Sequence, residues 1–390
     1  MKKIGIFSVI LFITLSIFGI VDVSLYYIMP KQTTTSDDAR VNADSYHDPS
    51  WVSDYYKELF ESSASRWEPY TYWRRRSFSK KYINIDDNGI RKTSQHTCTN
   101  EKLKIFFFGG STVWGTGVRD DFTLPSLLSK QLAAHDICAD VTNFGESGYV
   151  NTQELFILIR ELEKNNIPNI VIFYDGVNDV YSAYQNKIAG LAQNEINRFK
   201  EFNSQILLSQ HSHESPLDYI KAFIMSTATY KYLSHRGTTS NPAPGLANYF
   251  SSNAIFFNSY INRAKKEKPD LSKSCLDIYK TNVEIIESLS KAFNFKTYFI
   301  LQPTIFQKNT LTSYESNVKQ ATIKSCPGLK ELYKITYALL LNDEKLNKDT
   351  HFFSLKNIFS TTIDPVFIDW CHLSETGNEI IAKEIFKRIF

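Results

Sequence analysis

The sequence predicts an α/β fold in which helices cover both faces of an open parallel sheet. From about residue 103 onward, short apolar segments alternate with segments of helical periodicity, which is the pattern of successive β-α units. The apolar segments are nearly continuous, as strands that are buried on both faces require. In addition, the apolar residues 105–108 lead directly into the tetrapeptide Gly-Gly-Ser-Thr at 109–112, which is typical of a strand that turns tightly into a helix.

The periodicity predicts five strands and the helices between them. Apolar runs indicate strands at residues 103–108, 141–144, 169–174 and 296–302, with a short fifth strand near 352–358. Leucine and isoleucine at helical spacing predict helices at residues 124–134, 152–165, 276–293, 314–341 and 376–390. The fourth of these helices is expected in two pieces because Pro327 and Gly328 interrupt it.

Residues 1–30 are predicted to be a membrane anchor. Lys2 and Lys3 precede an apolar stretch, and residues 4–29 together are long enough to span a bilayer. Lysines before a membrane span favour a cytoplasmic location of the amino terminus. The sequence therefore predicts a single-pass protein whose remaining chain lies outside the cytoplasm, in the periplasm or at the cell surface. A removed signal peptide is the alternative, with residues 16–19 as its weak cleavage candidate.

The rest of the chain divides into three parts. Residues 31–50 are polar and predict a linker. Residues 51–100 predict an extension that packs on the core, with a helix over 51–62 and an edge strand over 82–86. The segment 67–76, dense in aromatics and arginine, either stacks on sugar rings or, more commonly, packs across a sheet edge. Residues 101–390 form the main domain, with a polar insertion at about 181–273, where lids tend to lie.

Composition excludes several classes of function. Lys and Arg number 44 against 41 Asp and Glu, and no basic stripe suits a nucleic acid. Residues 109–117 match neither a P-loop nor Gly-x-Gly-x-x-Gly, so we expect no nucleotide cofactor. The five cysteines allow one or two disulfides of open pairing, and none has metal-ligand spacing, so we expect no metal site. They are Cys98, Cys138, Cys275, Cys326 and Cys371.

The loops of the predicted sheet carry residues that are suited to acyl transfer. Ligand sites in open α/β sheets form at the carboxyl ends of strands, so we expect these loops to meet at one crevice. The residues are Ser111 after the first strand, Gly148 after the second, Asn178 after the third, and Asp369 with His372 before the last helix.

The base is predicted from the pairing of a histidine with an aspartate. A serine hydroxyl becomes a nucleophile when a neighbouring base takes its proton, and His372 is the candidate. Of the eight histidines, only His47 and His372 have an aspartate three residues before them, and His47 lies in the predicted linker. Asp369 is expected to fix the tautomer of His372. Cys371, between these two, is either a reactive thiol, paired with another cysteine or directed into the sheet.

The oxyanion hole is predicted from the backbone N–H groups of Ser111 and Gly148 and the side-chain amide of Asn178. Simpler interpretations stay open for each motif taken alone. The glycine-rich turn can serve only to cap a helix, and an Asp-x-x-His pair is often a cap beside a surface histidine. Asp175 and Asp179 are suited to a divalent metal, although carboxylates after a strand more often bond backbone amides.

Together these motifs resemble the SGNH hydrolase family, also called GDSL esterases. The resemblance covers roughly residues 103–183 and 276–390. It implies a three-layer α/β/α, flavodoxin-like fold, with Ser111 as nucleophile, Gly148 and Asn178 as oxyanion donors, and an Asp369–His372 pair as base. The first block departs from the family pattern Gly-Asp-Ser-Leu. The matching blocks are Gly109-Gly-Ser-Thr, Gly145-Glu-Ser-Gly148, Gly176-Val-Asn-Asp179 and Asp369-Trp-Cys-His372.

The resemblance implies a membrane-anchored serine esterase that removes a small acyl group, in the simplest case acetyl, from a glycan or a similar polar ester. The segment 67–91 and the closing motif are similar to membrane-anchored bacterial members that act on envelope polysaccharides. An O-acetyltransferase that uses the same residues is the alternative, and a non-catalytic glycan-binding envelope protein is a third. We expect an acylated glycan or small ester as substrate, the membrane as a partner through residues 4–29, and no nucleic acid.

Overall fold

The computed structural model describes residues 38–94, 96, 102–195, 198, 270–348 and 351–390, together with residues 16 and 19–21. The chain divides into two compact units, Met1–Asp37 with Ile196–Tyr260 and Asp38–Glu195 with Ile261–Phe390. Nearly all described residues belong to the second unit, which contains every site residue named above.

The chain of the second unit begins with an extension that precedes the central sheet. Its helix confirms the predicted helix, and the second of its two short antiparallel hairpins contains the predicted edge strand. The first hairpin was not predicted. These elements are α1 (Val52–Glu61), β1 (Ser65–Glu68), β2 (Tyr72–Arg75), β3 (Phe78–Ser79) and β4 (Asn84–Ile85).

A five-stranded parallel sheet follows in the described part of the chain. Its strands are β5 (Leu103–Gly109), β6 (Ala139–Asn143), β7 (Ile170–Asp175), β8 (Lys296–Leu301) and β9 (Phe352–Ser354). The order across the sheet is β6-β5-β7-β8-β9, which is the flavodoxin-like order. The predicted α/β class and five-stranded parallel sheet are therefore confirmed. The last strand is shorter than predicted because the chain turns at Leu355, whose carbonyl accepts from the N–H of Ile358.

The helices of the sheet domain lie close to their predicted positions. They are α2 (Ser111–Trp114), α3 (Leu124–Ala134), α4 (Asn151–Glu163), α5 (Val177–Asn186), α6 (Leu271–Phe293), α7 (Ser313–Ser325), α8 (Leu329–Asn342) and α9 (Glu375–Ile389). The predicted break at Pro327-Gly328 is present, with Gly328 at φ 84° before α8. Helix α5 was not predicted; it buries Val177, Val180 and Ala183 on one face and continues past residue 181, where the sequence predicted an insertion.

Alternate side chains of the strands enter two separate cores. In β5, Ile105 and Phe107 pack with α3 and α9 on one face, whereas Phe106 and Phe108 pack with α4, α6 and α8 on the other. Burial of each such side chain contributes about 1.5–3 kcal/mol. Two apolar faces covered by helices explain why the strand sequences are continuously apolar, and they give the three layers that the family resemblance implies.

Residues 38–50 pack on the sheet domain, although the sequence predicted a linker over 31–50. Ser45 Oγ donates to the carbonyl of Phe367 at 3.3 Å, and Tyr46 Oη donates to the carbonyl of Gly117 at 2.8 Å. Tyr46 joins a third apolar cluster that includes Trp51 from the extension. The linker was predicted from the polar composition of this segment, which gives no sign that Ser45 and Tyr46 anchor it to the sheet domain.

None of the helices among the described residues combines the length and the apolar character of a bilayer span. The predicted anchor, residues 1–30, lies almost wholly outside the described residues. Of the predicted insertion, residues 196–269 lie outside them apart from residue 198. The anchor and the lid therefore stay predictions.

Candidate active site

Ser111 lies at the turn between β5 and α2. β5 ends at Gly109, Gly110 follows in an extended conformation (φ −80°, ψ −151°), and Ser111 is the first residue of α2. Since β5 lies between β6 and β7, this turn opens at the carboxyl end of the central strands. That edge is where open parallel sheets hold their ligands.

A continuous chain of hydrogen bonds connects Ser111, His372 and Asp369. Ser111 Oγ lies 2.7 Å from His372 Nε2, and His372 Nδ1 lies 2.7 Å from Asp369 Oδ2. In the tautomer that satisfies both contacts, Nδ1 donates to the carboxylate and Nε2 accepts from the hydroxyl. The candidate nucleophile, base and orienting acid are thus in direct contact without any rearrangement.

The Asp369 carboxylate is held by its own loop. Its Oδ1 accepts from the backbone N–H groups of Cys371 and His372, at 3.0 and 2.8 Å. Burial alone raises the pKa of the Asp369 carboxyl, but His372, Arg40 and these N–H groups outweigh burial and hold that pKa well below its usual range. Asp369 is therefore ionised across the neutral pH range, as an acid that orients an imidazole must be.

The Asn178 amide lies next to the nucleophile. Asn178 is the second residue of α5, and its Nδ2 donates to the carbonyl of Tyr149 at 2.8 Å. A Cβ atom added to Gly110 would lie only 2.0 Å from Nδ2, so the amide occupies the space beside the Ser111 backbone. Nδ2 carries a second proton, for which no acceptor is found among the described residues. A side chain at position 110, such as the Asp of the family pattern, would therefore displace the Asn178 amide from its observed position.

Gly148 lies close to Trp73, from the aromatic segment 67–76, and to Gln193, which sequence reasoning missed. It has φ 79°, the left-handed region that favours glycine. A Cβ added there would lie 3.0 Å from Gln193 Oε1 and 3.5 Å from the Trp73 ring. Gln193 Nε2 also donates to Asn178 Oδ1 at 3.2 Å, which directs the amide nitrogen of Asn178 away from Gln193. No sequence signal marked Gln193, since it lies in the predicted insertion.

The first hairpin fixes the loop that carries Gly148. The buried Glu146 carboxylate accepts from the backbone N–H of Arg75 at 3.0 Å, and its other oxygen lies 3.4 Å from Arg75 Nε. Arg75 also donates to Ser147 Oγ at 2.9 Å, and Trp73 Nε1 donates to the Ser147 carbonyl at 2.9 Å. The aromatic and arginine-rich segment thus contacts the candidate oxyanion loop.

Asp175 and Asp179 accept hydrogen bonds from amide N–H groups. Asp179 accepts from the backbone N–H groups of Asn151 and Gly176, and Asp175 accepts from the Asn151 side chain at 2.8 Å. Burial raises the pKa of Asp175 to about 7 and that of Asp179 to about 6. Burial, and then the charge of Asp175, also raise the pKa of the neighbouring Glu154. These carboxyls hold the start of α5, and with it Asn178, in place.

Among the described residues, Asp369, Cys371 and His372 bring metal-ligand atoms within 4.8 Å of one another. A 2.7 Å contact between Nδ1 and Oδ2 is a hydrogen bond and leaves no space for an ion between the two atoms. Burial raises the pKa of the Cys371 thiol well above its usual range, and the thiol is free. The residues therefore suit proton transfer and not a metal, and Cys371 is not an activated thiol.

Comparison with known proteins places the chain in a family. A model of the family described as GDSL-like lipase/acylhydrolase matches residues 105–385. A comparison with curated proteins gives no match. Among solved structures, the chain is similar to acetyl xylan esterase AlAXEase, with 14% identity over 74% of this chain and 100% of that chain and a TM-score of 0.35. It is also similar to esterase EstA from Pseudoalteromonas sp., with 12% identity over 74% of this chain and 97% of that chain and a TM-score of 0.33. For acetylxylan esterase Axe2 from Geobacillus stearothermophilus, the identity is 13% over 74% of this chain and 94% of that chain, and the TM-score is 0.35.

Because the family model spans most of the chain, the protein is a carboxylic ester hydrolase of the SGNH type. More particularly, the chain belongs to the GDSL-like lipase/acylhydrolase family, and the family expected from the four sequence blocks is confirmed.

Proposed function

We propose that the chain is a membrane-anchored serine esterase outside the cytoplasm that removes a small acyl group, in the simplest case acetyl, from a glycan. The observation that carries the chemistry is the hydrogen-bond chain from Ser111 through His372 to Asp369, with 2.7 Å at both links. This geometry activates a hydroxyl that is otherwise a weak nucleophile.

In the first step, Ser111 Oγ attacks the ester carbonyl while His372 Nε2 takes the hydroxyl proton. The imidazolium that forms is stabilised by Asp369 through Nδ1. Negative charge develops on the former carbonyl oxygen, where the Asn178 amide and the backbone N–H groups of Ser111 and Gly148 donate to it. His372 then gives its proton to the leaving alcohol, and the acyl group stays on Ser111.

In the second step, His372 removes a proton from a water molecule, which attacks the acyl-enzyme. The same donors stabilise the second tetrahedral intermediate. Its collapse releases the carboxylic acid and returns the proton from His372 to Ser111 Oγ. All groups end in their starting protonation state, so one site serves both steps.

The surroundings of the oxyanion donors support a small acyl group and a glycan. Trp73 and Gln193 leave little space beside Gly148, since a Cβ added there would lie 3.5 Å from the Trp73 ring and 3.0 Å from Gln193 Oε1. Trp67, which is 68% exposed, pairs with Trp73 across the hairpin and offers an apolar face to solvent. An exposed indole on the hairpin that contacts the Gly148 loop is suited to stack on a sugar ring.

The location outside the cytoplasm is supported by two features. Lys2 and Lys3 precede the apolar stretch over residues 4–29. Cys138 is disulfide-bonded, and disulfides persist in oxidising compartments. An alkaline phosphatase fusion at Phe390, expressed in a bacterium, is expected to be active, and an inactive fusion at normal expression would contradict the proposed orientation.

The esterase proposal is tested with Ser111→Ala in the detergent-solubilised full chain. We expect hydrolysis of p-nitrophenyl acetate and release of acetate from an acetylated polysaccharide to fall at least about a thousandfold, because the attacking hydroxyl is lost. Ser288→Ala, an exposed serine on α6, is the matched control and is expected to keep full activity. Retained activity in Ser111→Ala would reject Ser111 as nucleophile.

The same assay separates hydrolysis from transfer. A burst of p-nitrophenol without turnover, relieved by a polysaccharide acceptor, would identify the O-acetyltransferase. Steady release of acetate in water without an acceptor identifies the esterase. Absence of both reactions in the folded wild-type chain would favour the non-catalytic glycan-binding alternative.

A further inference from the structure

We propose that Arg40 is a positioning residue of the active site: it holds the Asp369 carboxylate and limits how strongly this carboxylate stabilises protonated His372. The proposal rests on the proposed function, because that function gives Asp369 and His372 their roles. Arg40 lies within the predicted linker, residues 31–50, and belongs to none of the four family blocks.

The contact is made to the oxygen that also binds the imidazole. Arg40 Nη1 donates to Asp369 Oδ2 at 3.5 Å, and His372 Nδ1 donates to the same oxygen at 2.7 Å. Asp369 Oδ1 is already engaged by two backbone N–H groups of its own loop. The guanidinium therefore contacts the carboxylate at the atom that carries the catalytic hydrogen bond.

Arg40 is itself held in a fixed orientation. Its Nε and Nη2 donate to the two carboxylate oxygens of Asp38, at 3.0 and 2.7 Å, in a bidentate pair. Its guanidinium carbon lies 5.2 Å from the centre of the Tyr56 ring. Only 27% of the side chain is exposed. A guanidinium that is clamped on one edge and stacked on one face can point its remaining nitrogen at Asp369 without further loss of rotamer freedom.

The electrostatic consequence follows from the sign of the charges. A cation beside Asp369 draws part of the carboxylate charge toward itself, so that less remains to stabilise an imidazolium at Nδ1. Arg40 therefore reduces the stabilisation that the Asp369 carboxylate gives to the protonated imidazole of His372. Among the described residues, the titratable and charged groups that face Asp369 and His372 are Arg40 and Asp38 from the N-terminal segment, Tyr56 from α1, Tyr314 from α7, and Cys371 from the Asp369 loop; the Ser111 hydroxyl faces His372.

The test is the pH profile of kcat/KM for Arg40→Gln in the full chain, with p-nitrophenyl acetate as substrate. We expect the plateau to fall by about tenfold, because the carboxylate is less well placed. We also expect the acidic limb to move to higher pH by about half to one unit, because the imidazolium gains stabilisation. Arg40→Lys keeps the charge but loses the bidentate clamp, so it is expected to restore the position of the limb and only part of the plateau.

Arg119→Gln is the matched control. Arg119 also makes a bidentate pair, with Glu375, and its guanidinium lies over an aromatic ring, Trp51. The Arg119→Gln variant is expected to lower the melting temperature about as much as Arg40→Gln does, while the pH profile of kcat/KM stays unchanged. The far-downfield Nδ1 proton resonance of His372, followed by NMR as a function of pH, is expected to shift its titration in Arg40→Gln and not in Arg119→Gln.

A failure of the inference about Arg40 can be distinguished from a failure of the proposed function. If Arg40→Gln lowers only the plateau or the melting temperature and the acidic limb stays in place, Arg40 has a structural role and the inference is overturned. If Ser111→Ala keeps its activity, the proposed function fails first, whatever Arg40 does.

Discussion

At the scale of single residues, Gly110 determines whether the Asn178 amide can lie beside the nucleophile. Its backbone conformation, φ −80°, is open to any residue, so the need for glycine comes from space and not from strain. The added Cβ would meet Asn178 Nδ2 at 2.0 Å. The departure from the family pattern at this position therefore has a physical reason in this chain.

Gly110→Ala is expected to lower kcat/KM for p-nitrophenyl acetate by about a hundredfold, which is the usual cost of one lost oxyanion donor. The amide must move away from the Cβ, whereas the backbone can keep its conformation. The measurement is a double-mutant cycle with Asn178→Ala. In the Asn178→Ala background, Gly110→Ala is expected to cost little more, and fully additive losses would show that Gly110 does not act through Asn178.

At the scale of elements, the β1–β2 hairpin holds the loop that carries Gly148 in place. The loop of Gly148 is tied to the hairpin through Glu146, which is fully buried, and through Ser147. Burial lowers the pKa of the Arg75 guanidinium, and Glu146 acts against that shift. The hairpin is thus a part of the site and not only a cover for the sheet edge.

Glu146→Gln is expected to lower the free energy of unfolding by about 3 kcal/mol, because it leaves a buried guanidinium without its counter-charge. The oxyanion loop should loosen as well, so kcat is expected to fall more than KM rises. Urea unfolding and steady-state kinetics measure the two effects. Glu61→Gln, at an exposed ion pair with Lys80 in the same extension, is the control and is expected to change neither.

At the scale of the whole molecule, buried carboxyls make stability depend on pH. In the unfolded chain Asp175 and Asp179 ionise near pH 4, whereas in the folded protein they ionise at about pH 7 and 6. Unfolding therefore releases protons between these values. Their contribution to stability is complete below about pH 4 and is lost as pH rises through 6 to 7. Asp369 has the opposite sign, since its lowered pKa contributes stability above its usual pKa that is lost in acid.

Glu154→Gln is expected to flatten this dependence, because it removes the carboxyl that shares the buried site with Asp175. Calorimetry of the full chain should show a melting temperature that falls from pH 5 to pH 8 in the wild type and falls less in the variant. Glu163→Gln, exposed on the same helix, should follow the wild type. A variant that keeps the full slope would show that other groups cause it.

The sequence was informative where a local pattern has one physical cause. Continuous apolar runs followed from burial on two faces, and the break before Leu329 followed from Pro327 and Gly328. The positions of Ser111 and His372 followed from strand ends and from the Asp-x-x-His spacing. In contrast, α5 and the packed segment 38–50 were missed because a few buried side chains outweigh a polar composition.

What the sequence by itself determined is the family, the α/β fold and the candidate site residues Ser111, Asp369 and His372. The types of these residues and their order along the chain are enough to predict acyl-transfer chemistry. Only the tertiary structure decided which distant groups support them, namely Arg40 at the acid, Gln193 at the amide, and the hairpin at the oxyanion loop. The reason is that such contacts join segments that are up to 329 residues apart, and neither periodicity nor local motif records a contact between surfaces that meet only after folding.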